Sequence, residues 1–267
     1  MQDLFYASSG AMPLDQADGL RRLFTGASPR FIALVANPYV SFGGVAIERL
    51  TAALALAGRH TLVLDAAETS PPAPEGAAIE LAPCIETLSP EVSYLAARGL
   101  PLRYVNTRGS SARLIDELCI AAPQADVVLV HAGASDLARL FSAQPLRPLL
   151  LAADHPSSVK HAYASLKLLA QRSGWMSCDL LIVSAAHSPR LPHIAASLAS
   201  CADTFIGAAV AGWTTIDPAT DASELPDQSL RSLVDHHLGL HDEAFVVARQ
   251  ASPRRSAGAT AQLTPRH

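Results

Sequence analysis

The chain has 267 residues, of which 49% are apolar and only 16% charged, a composition that predicts one sizeable core and argues against wholesale disorder. Its formal net charge of −4, from 20 basic and 24 acidic residues, gives no electrostatic reason to expect nucleic-acid binding. The four cysteines form no CxxC pair, the first residues lack the pattern of a secretory signal, and no apolar run approaches the ~20 residues that span a bilayer. We therefore expect a cytoplasmic protein with reduced thiols.

Short apolar runs alternate with stretches of helical periodicity along the chain. Several runs are nearly continuously hydrophobic, which is typical of parallel strands covered on both faces. Strand–helix alternation predicts an α/β fold with a doubly wound, mostly parallel sheet and helices on both faces. The predicted strands cover residues 30–36, 60–66, 102–106, 126–132, 148–153, 179–185 and 203–212. The predicted helices cover residues 44–57, 108–121, 155–171 and 190–200.

Three other stretches set the domain boundaries. Residues 68–77 are rich in proline and predict a loop at the carboxyl end of the second strand, where binding loops often lie. Residues 229–248 have apolar side chains at helical spacing and few cations, which favours a final helix docked on the core over one at a membrane surface. Residues 251–267 are small, polar and proline-bearing and are expected to be disordered. We assign residues 1–29 to an N-terminal segment and residues 30–250 to the α/β domain.

The loop after the first strand has the layout of a phosphate-binding loop without its charge. In "FIALVANPYVSFGGVAIERL" (31–50), an apolar strand, a loop with two glycines and a helix follow one another. A working phosphate loop adds a lysine for the phosphates and a Ser or Thr hydroxyl for magnesium. The chain has only two lysines, Lys160 and Lys167, and both lie far beyond this loop.

The segment resembles, in layout, the KGGxGK[ST] loop of the MinD/ParA class of P-loop ATPases. On that pattern, Pro38 and Gly43 stand at the two lysine positions, and Gly44 replaces the magnesium-binding hydroxyl. Bulky residues stand where the pattern has glycines; because they resist φ > 0, we expect them to fill the space of the phosphates. Two lost charge-assisted contacts, at ~1.5–3 kcal/mol each, weaken binding by roughly two to four orders of magnitude. The bulky residues are Tyr39, Val40 and Phe42.

Other positions implied by this resemblance also depart from the pattern. The second strand, which would end in "DAD", reads Asp65, Ala66 and Ala67. His131 stands where a Walker B aspartate is expected, and we interpret it as filling a vacated site rather than contacting a ligand. Ser184 matches the asparagine that contacts the nucleobase in this class. We therefore expect a degenerate nucleotide site, with binding of ATP and Mg²⁺ absent or weak, and no other cofactor.

Two further segments are similar to the FlhG (FleN) family of MinD-like regulators of flagellar number. Residues 153–190 resemble the late strand–helix–strand unit of that family. Residues 15–24, "DQADGLRRLF", resemble its DQAxxLR motif, through which the family binds the signal-recognition-type GTPase FlhF and stimulates GTP hydrolysis. The resemblance runs from about residue 14 to residue 220. In the late unit, the residues in register are Asp154, Pro156, Ser158, Ala162, Tyr163, Lys167, Leu168, Leu169, His187 and Ser188.

The N-terminal motif is also plausible as a short helix. Asp15 is a good cap, and Leu20 and Phe24 stand four residues apart on one face. Gly19 costs about 1 kcal/mol inside a helix, so the element is expected to order on binding a partner. The resemblance implies that Gln16 reaches the partner's GTP site and orients water; the alternative is a helix that packs on its own domain. The matching residues are Asp15, Gln16, Ala17, Leu20 and Arg21, with Phe24 beside them.

These resemblances imply a regulatory protein that binds an FlhF-type GTPase. They also admit flagellar switch-complex proteins or a flagellar transcription regulator as partners, and at most peripheral membrane association, with recruitment to the membrane or flagellar pole by partners. One alternative is an active MinD-like ATPase in which Arg49 or a partner supplies the missing charge. Another is a pseudo-ATPase scaffold of a different secretion pathway, such as cellulose secretion.

Histidine pairs offer a weaker alternative. His237 and His241 stand four residues apart and could share a helix face as metal ligands. A packed or solvent-facing histidine helix is the preferred interpretation. His187 and His193 are separated by two prolines and are expected to be loop residues, so no metal site is predicted.

Overall fold

The computed structural model describes residues 29–142, 144–185 and 187–251. Within them, eight strands form one sheet in the order β3-β4-β2-β5-β1-β6-β7-β8. The β3–β4 pair is antiparallel and all other described pairs are parallel. The strands are β1 (Arg30–Val35), β2 (Thr61–Asp65), β3 (Glu86–Ser89), β4 (Val92–Ala96), β5 (Val127–Ala132), β6 (Leu149–Ala153), β7 (Ser177–Val183) and β8 (Ala209–Ile216).

Helices cover both faces of this sheet. One core contains Leu114, Leu137 and Leu198 beneath the third, fourth and sixth helices. The other contains Leu50 and Leu230 beneath the first and the last helix. The doubly wound α/β prediction is therefore confirmed. The helices are α1 (Gly43–Leu56), α2 (Leu100–Arg103), α3 (Ala112–Ala121), α4 (Ala134–Leu140), α5 (Pro156–Ser173), α6 (Leu191–Ile206) and α7 (Gln228–Ala251).

The central strands form where the sequence is almost continuously apolar. Every residue of β2 and β5 is buried, which is the condition that makes a parallel strand hydrophobic along its whole length. Helix α5 begins as its sequence indicates: Pro156 occupies the first turn, where its missing N–H does no harm. His155 caps this helix by accepting a hydrogen bond from the Ser157 amide, and Gly174, in a left-handed conformation, ends it.

Two predicted strands are wrong. The stretch 102–106 forms the end of α2 and a following turn, with Leu102 and Val105 exposed, because Gly99 adopts positive φ and Pro101 starts a short helix. The stretch 203–212 is divided, since α6 continues to Ile206 and β8 starts only at Ala209.

The prediction missed β3, β4 and α4, and His193 lies in the first turn of α6 rather than in a loop. The proline-rich stretch 68–77 is a loop up to a 3-10 turn at Glu75–Ala78.

The last helix docks on the core, as predicted. Its side chains at helical spacing, among them Leu230, Val234 and Leu238, are buried against α1 and the central strands. His237 is buried as well, and its Nε2 donates to Oδ2 of Asp179 at 2.9 Å. His237 is therefore a packed histidine, and His241 lies one turn further along α7. Among the described helices, none combines the length and hydropathy that a bilayer crossing requires.

Candidate functional site

A pocket of about 360 Å³ opens at the carboxyl ends of β1, β2 and β5. This edge of a parallel sheet is where ligands bind in open α/β folds. The loop after β1, the loop after β2 and the first turn of α1 form its walls. The residues that line it are Asn37, Pro38, Val40, Ser41, Gly43, Gly44, Ile47, Asp65, Thr69, Ser70, Pro71, His131 and Leu151.

Asn37, which the sequence analysis missed, holds the loop after β1 in place. Its Nδ2 donates to the carbonyl oxygen of Leu151 at 2.8 Å and to the carbonyl oxygen of Ser158 at 3.0 Å. Its Oδ1 accepts from the Tyr39 amide at 3.1 Å, which makes an Asx turn. The loop is thus tied to β6 and α5 by a buried side chain.

The bulky residues of this loop do not crowd the pocket as expected. Tyr39 and Phe42 are 52% and 55% exposed and turn toward the surface, while Val40 is buried in the core beneath α1. No described residue other than glycine has positive φ, and Gly43 and Gly44 do not have it either. The expectation that all three side chains fill this space is therefore wrong for Tyr39 and Phe42, because both side chains are exposed and neither lines the pocket.

Asp65 and His131 meet at the floor of the pocket. His131 Nδ1 lies 2.7 Å from Oδ1 of Asp65, and both side chains are buried. Since an ionised carboxylate only accepts hydrogen bonds, Nδ1 carries the proton. Ser70 donates to the same carboxylate oxygen, and the Tyr94 hydroxyl donates to Oδ2 at 3.2 Å. Three donors, from β5, β4 and the loop after β2, thus converge on one carboxylate.

These contacts keep Asp65 ionised. Burial alone would raise the pKa of Asp65, but hydrogen bonds from His131, Ser70 and Tyr94, together with the charge of His131, outweigh burial and hold that pKa below its ordinary value. Burial and the neighbouring Asp65 charge raise the pKa of the Tyr94 hydroxyl. Tyr94 therefore stays a neutral donor over the physiological range, and the carboxylate stays negative.

No lysine or arginine lies among the described residues that line this pocket. Arg49 is buried on α1, but its Nη1 donates to the carbonyl oxygen of Glu224 at 2.6 Å, in the loop before α7. It lines a separate pocket of about 160 Å³. The idea that Arg49 supplies the missing phosphate charge is therefore wrong, because its guanidinium is committed elsewhere. Lys160 and Lys167 both lie on α5.

Two further pockets adjoin the loop after β1, and Pro38 lines both as well as the first. One, of about 600 Å³, lies on the side of Tyr39, Phe42 and Ser184. The other, of about 270 Å³, includes Ala67. The seven predicted positions of the degenerate site thus converge around one loop: Pro38, Gly43, Gly44, Asp65 and His131 in one pocket, and Ala67 and Ser184 in its two neighbours.

The predicted partner-binding residues lie outside the described residues. They are Asp15, Gln16, Ala17, Leu20, Arg21 and Phe24. The tail from residue 252 also lies outside them.

The chain matches no protein-family profile and no curated protein. It is similar in structure to MinD, the cell division protein of Aquifex aeolicus, with a TM-score of 0.54 and 11% identity over 79% of this chain and 97% of MinD. A plasmid partition protein of Borrelia burgdorferi bound to AMPPNP gives a TM-score of 0.55 at 7% identity, over 82% of this chain and 100% of that one. The structure of a Cyanothece McdA variant in complex with ATP gives a TM-score of 0.54 at 13% sequence identity, over 80% of this chain and 98% of that one.

The chain has a MinD-type P-loop NTPase fold. At these identities, the similarity concerns the backbone and not the site. The pocket at the carboxyl ends of β1, β2 and β5 is lined by Asp65 and His131. Its described lining includes one carboxylate, that of Asp65, and no lysine or arginine.

Proposed function

We propose that the chain is an FlhG-like regulator of flagellar number or placement, and that it binds and stimulates an FlhF-type GTPase through residues 15–24. We further propose that it acts as a pseudo-ATPase. One observation carries the second point: the Asp65 carboxylate receives hydrogen bonds from His131, Ser70 and Tyr94. The MinD-type fold supports the general class.

The hydrogen bonds of Asp65 support the proposal because they compete with magnesium. Mg²⁺ demands near-ideal octahedral geometry and is usually held through one or two carboxylates together with phosphate oxygens. Here, His131 and Ser70 both donate to the Oδ1 oxygen. A metal ion at that oxygen would displace hydrogen bonds to a charged group that are worth about 1.5–3 kcal/mol each.

The charge of the pocket supports the proposal in the same direction. A triphosphate needs several cationic contacts, and in this pocket the imidazole of His131 is the group that can carry positive charge. That imidazole is already paired with a carboxylate. The α1 N-terminus adds backbone N–H donors of Gly43 and Gly44, whose contribution to anion binding is modest without lysine.

The partner claim rests on the DQAxxLR-like motif. Asp15, Gln16, Ala17, Leu20 and Arg21 match it position for position. In the proposed mechanism, Gln16 orients the attacking water in the partner's GTP site, and Arg21 faces phosphate charge. The nucleotide that is hydrolysed is bound by the partner, so this mechanism requires no nucleotide on this chain.

The experiment measures GTP turnover by a purified FlhF-type GTPase with and without this chain. The wild type should accelerate turnover; Gln16→Ala should abolish the acceleration while leaving the thermal unfolding midpoint unchanged. Gln2→Ala, in the same segment but outside the motif, is the matched control and should stimulate like the wild type. Equal stimulation by the Gln16→Ala variant would refute the proposed role of the motif.

A second candidate function, an active ATPase, is favoured by the open space above Gly43 and Gly44, where an added Cβ would meet no heavy atom within 4 Å. Titration of fluorescent ATP with and without Mg²⁺ separates the two functions. The pseudo-ATPase proposal expects no magnesium-dependent saturation in the micromolar range. Clear micromolar binding that requires magnesium would establish the ATPase alternative.

A further inference from the structure

A groove of about 480 Å³ runs between α5 and α6. Its walls are almost wholly apolar side chains, with the buried Leu198 at the floor and Tyr163 on one side. Phe205, near the end of α6, is 74% exposed and forms part of the opposite wall. An exposed aromatic residue beside an apolar groove is the composition of an interface hot spot and not of an ordinary surface.

Lys160 lies at the rim of this groove. Lys160 and Lys167, the two lysines of the chain, both lie on α5 and are seven residues apart. At 100° per residue, they fall on the same stripe of the helix, two turns apart. Both are exposed, and neither forms an ion pair with a described residue. Helix α5 contains no acidic residue at all, although the chain as a whole carries a net charge of −4.

We propose that the α5–α6 groove binds an amphipathic helix of a partner protein whose apolar face is flanked by acidic residues. The groove lies between two helices, and this shape accepts anchors spaced at i, i+3 or i+4 and i+7 from a third helix. Phe205, Leu198 and Tyr163 contact the apolar face. Lys160 and Lys167 meet the carboxylates along one flank, which fixes orientation and speeds association.

The charge pattern favours a protein helix over a lipid surface. Recognition of anionic lipid typically uses clusters of four to eight cations beside a protruding apolar face. The groove is concave; Lys160 lines it, and Lys167 lies two turns further along α5. The groove shares no residue with the segment 15–24, so it provides for a second partner beyond the GTPase proposed above.

The test uses the full chain and two synthetic peptides of about 18 residues, followed by fluorescence anisotropy. One peptide has leucines at helical spacing and glutamates on both flanks; the other has lysine at each glutamate position. The acidic peptide should bind in a saturable way, and the basic peptide should bind at least about tenfold more weakly. Phe205→Ser should weaken binding of the acidic peptide about tenfold or more.

The rim is tested by charge reversal. The double variant Lys160→Glu/Lys167→Glu should no longer bind the acidic peptide and should bind the basic peptide instead. Arg172→Glu is the matched control, because it reverses a charge on the same helix about 120° away from the lysine stripe. Ile120→Ser, which changes an 80% exposed apolar residue on α3, is the control for Phe205→Ser. Neither control should change peptide binding.

Three results would overturn the proposal. The first is equal binding of both peptides, or binding that the double variant leaves unchanged. The second is sedimentation of the wild-type chain as a dimer that Phe205→Ser dissociates, because a second copy would then cover the groove. The third is binding to phosphatidylserine vesicles that Phe205→Ser abolishes, because the surface would then face a membrane.

Discussion

His131 and Asp65 are paired across the neighbouring strands β5 and β2, with the imidazole Nδ1 2.7 Å from the carboxylate Oδ1. The carboxylate also accepts hydrogen bonds from the hydroxyls of Ser70 and Tyr94. One buried carboxylate is therefore hydrogen-bonded from within the chain, at the edge of the sheet where open α/β folds bind ligands.

Acid should destabilise the protein partly by protonating Asp65. Because the folded-state pKa of Asp65 lies below its ordinary value, which is about 3.9 in unfolded chains, its contribution to stability is fully present above that pH. It is lost as the pH falls through the folded-state pKa. Asp65→Asn removes the contribution, so the free energy of unfolding should be lower at pH 7 and should fall less steeply below about pH 4.

Urea unfolding at a series of pH values measures this difference. Asp136→Asn, which alters a partly exposed carboxylate paired with Arg139, is the control and should follow the wild-type curve within about 0.5 kcal/mol. Parallel pH curves for the wild type and Asp65→Asn would contradict the assignment.

The network of the buried Asp179 with Arg147 and His237 should contribute strongly to the attachment of α7. Oδ1 of Asp179 accepts from Arg147 at 2.5 Å and Oδ2 from His237 at 2.9 Å. Their hydrogen bonds and charges hold the pKa of Asp179 below its usual value, although burial, the largest single influence, acts in the opposite direction. Asp179→Ala leaves the buried His237 imidazole and the partly exposed Arg147 guanidinium without this acceptor, and it should lower the free energy of unfolding by about 3–5 kcal/mol.

Denaturant unfolding and the protease sensitivity of α7 test this expectation. Asp136→Ala breaks an ion pair that is partly exposed, and it should cost at most about 1 kcal/mol. A loss for Asp179→Ala no larger than this control would show that the buried network does not stabilise the docked helix.

The absence of a side chain at Gly212 should be required for Asp179 to keep its position. A Cβ built at Gly212 would lie 2.9 Å from Oδ1 of Asp179, so Gly212→Ala should displace the carboxylate from Arg147 and destabilise the protein by about 1–3 kcal/mol. Gly239→Ala, on α7 where nothing lies within 4 Å, should instead stabilise it by about 0.5–1 kcal/mol, through helix propensity. Thermal unfolding should show a lower midpoint for Gly212→Ala and a higher midpoint for Gly239→Ala. Equal shifts of the two midpoints would refute the steric argument.

The alternation of apolar runs and helices was sufficient to predict the doubly wound sheet, because β2 and β5 are buried on both faces and hence almost continuously hydrophobic. The same reasoning failed at β3, whose four residues ETLS are largely exposed. An edge strand of this kind forms because β4 lies beside it, and not because of its own pattern. The strand predicted at 102–106 was wrong for the opposite reason: the stretch is apolar in sequence, but Leu102 and Val105 are exposed.

The sequence showed which site positions differ from the phosphate-loop pattern, but it did not show the hydrogen bonds that connect these positions. The sequence identified Asp65 and His131 as strand-end residues, yet their contact depends on the register between β2 and β5. Asn37 has partners 114 and 121 residues away, so no local signal reveals its role in fixing the loop. Tyr94 was missed because it lies on β4, which the prediction did not contain.

The substitution His131→Asp should make the stability of the protein depend on magnesium. It places a second carboxylate opposite Asp65 and removes the imidazole that neutralises it, so two like charges share a buried site. Without a cation, the variant should lose about 3–5 kcal/mol, as expected when one partner of a buried pair is removed. Millimolar Mg²⁺ should recover part of this loss, because a bound cation stabilises only the folded state.

Thermal unfolding of the His131→Asp variant with EDTA and with Mg²⁺ measures the difference. His131→Asn, which removes the imidazole without adding charge, is the control and should be insensitive to Mg²⁺. Equal midpoints for His131→Asp in both buffers would show that the Asp65 carboxylate is not placed to share a metal ion, and that its hydrogen bonds to Ser70 and Tyr94 alone fix its position.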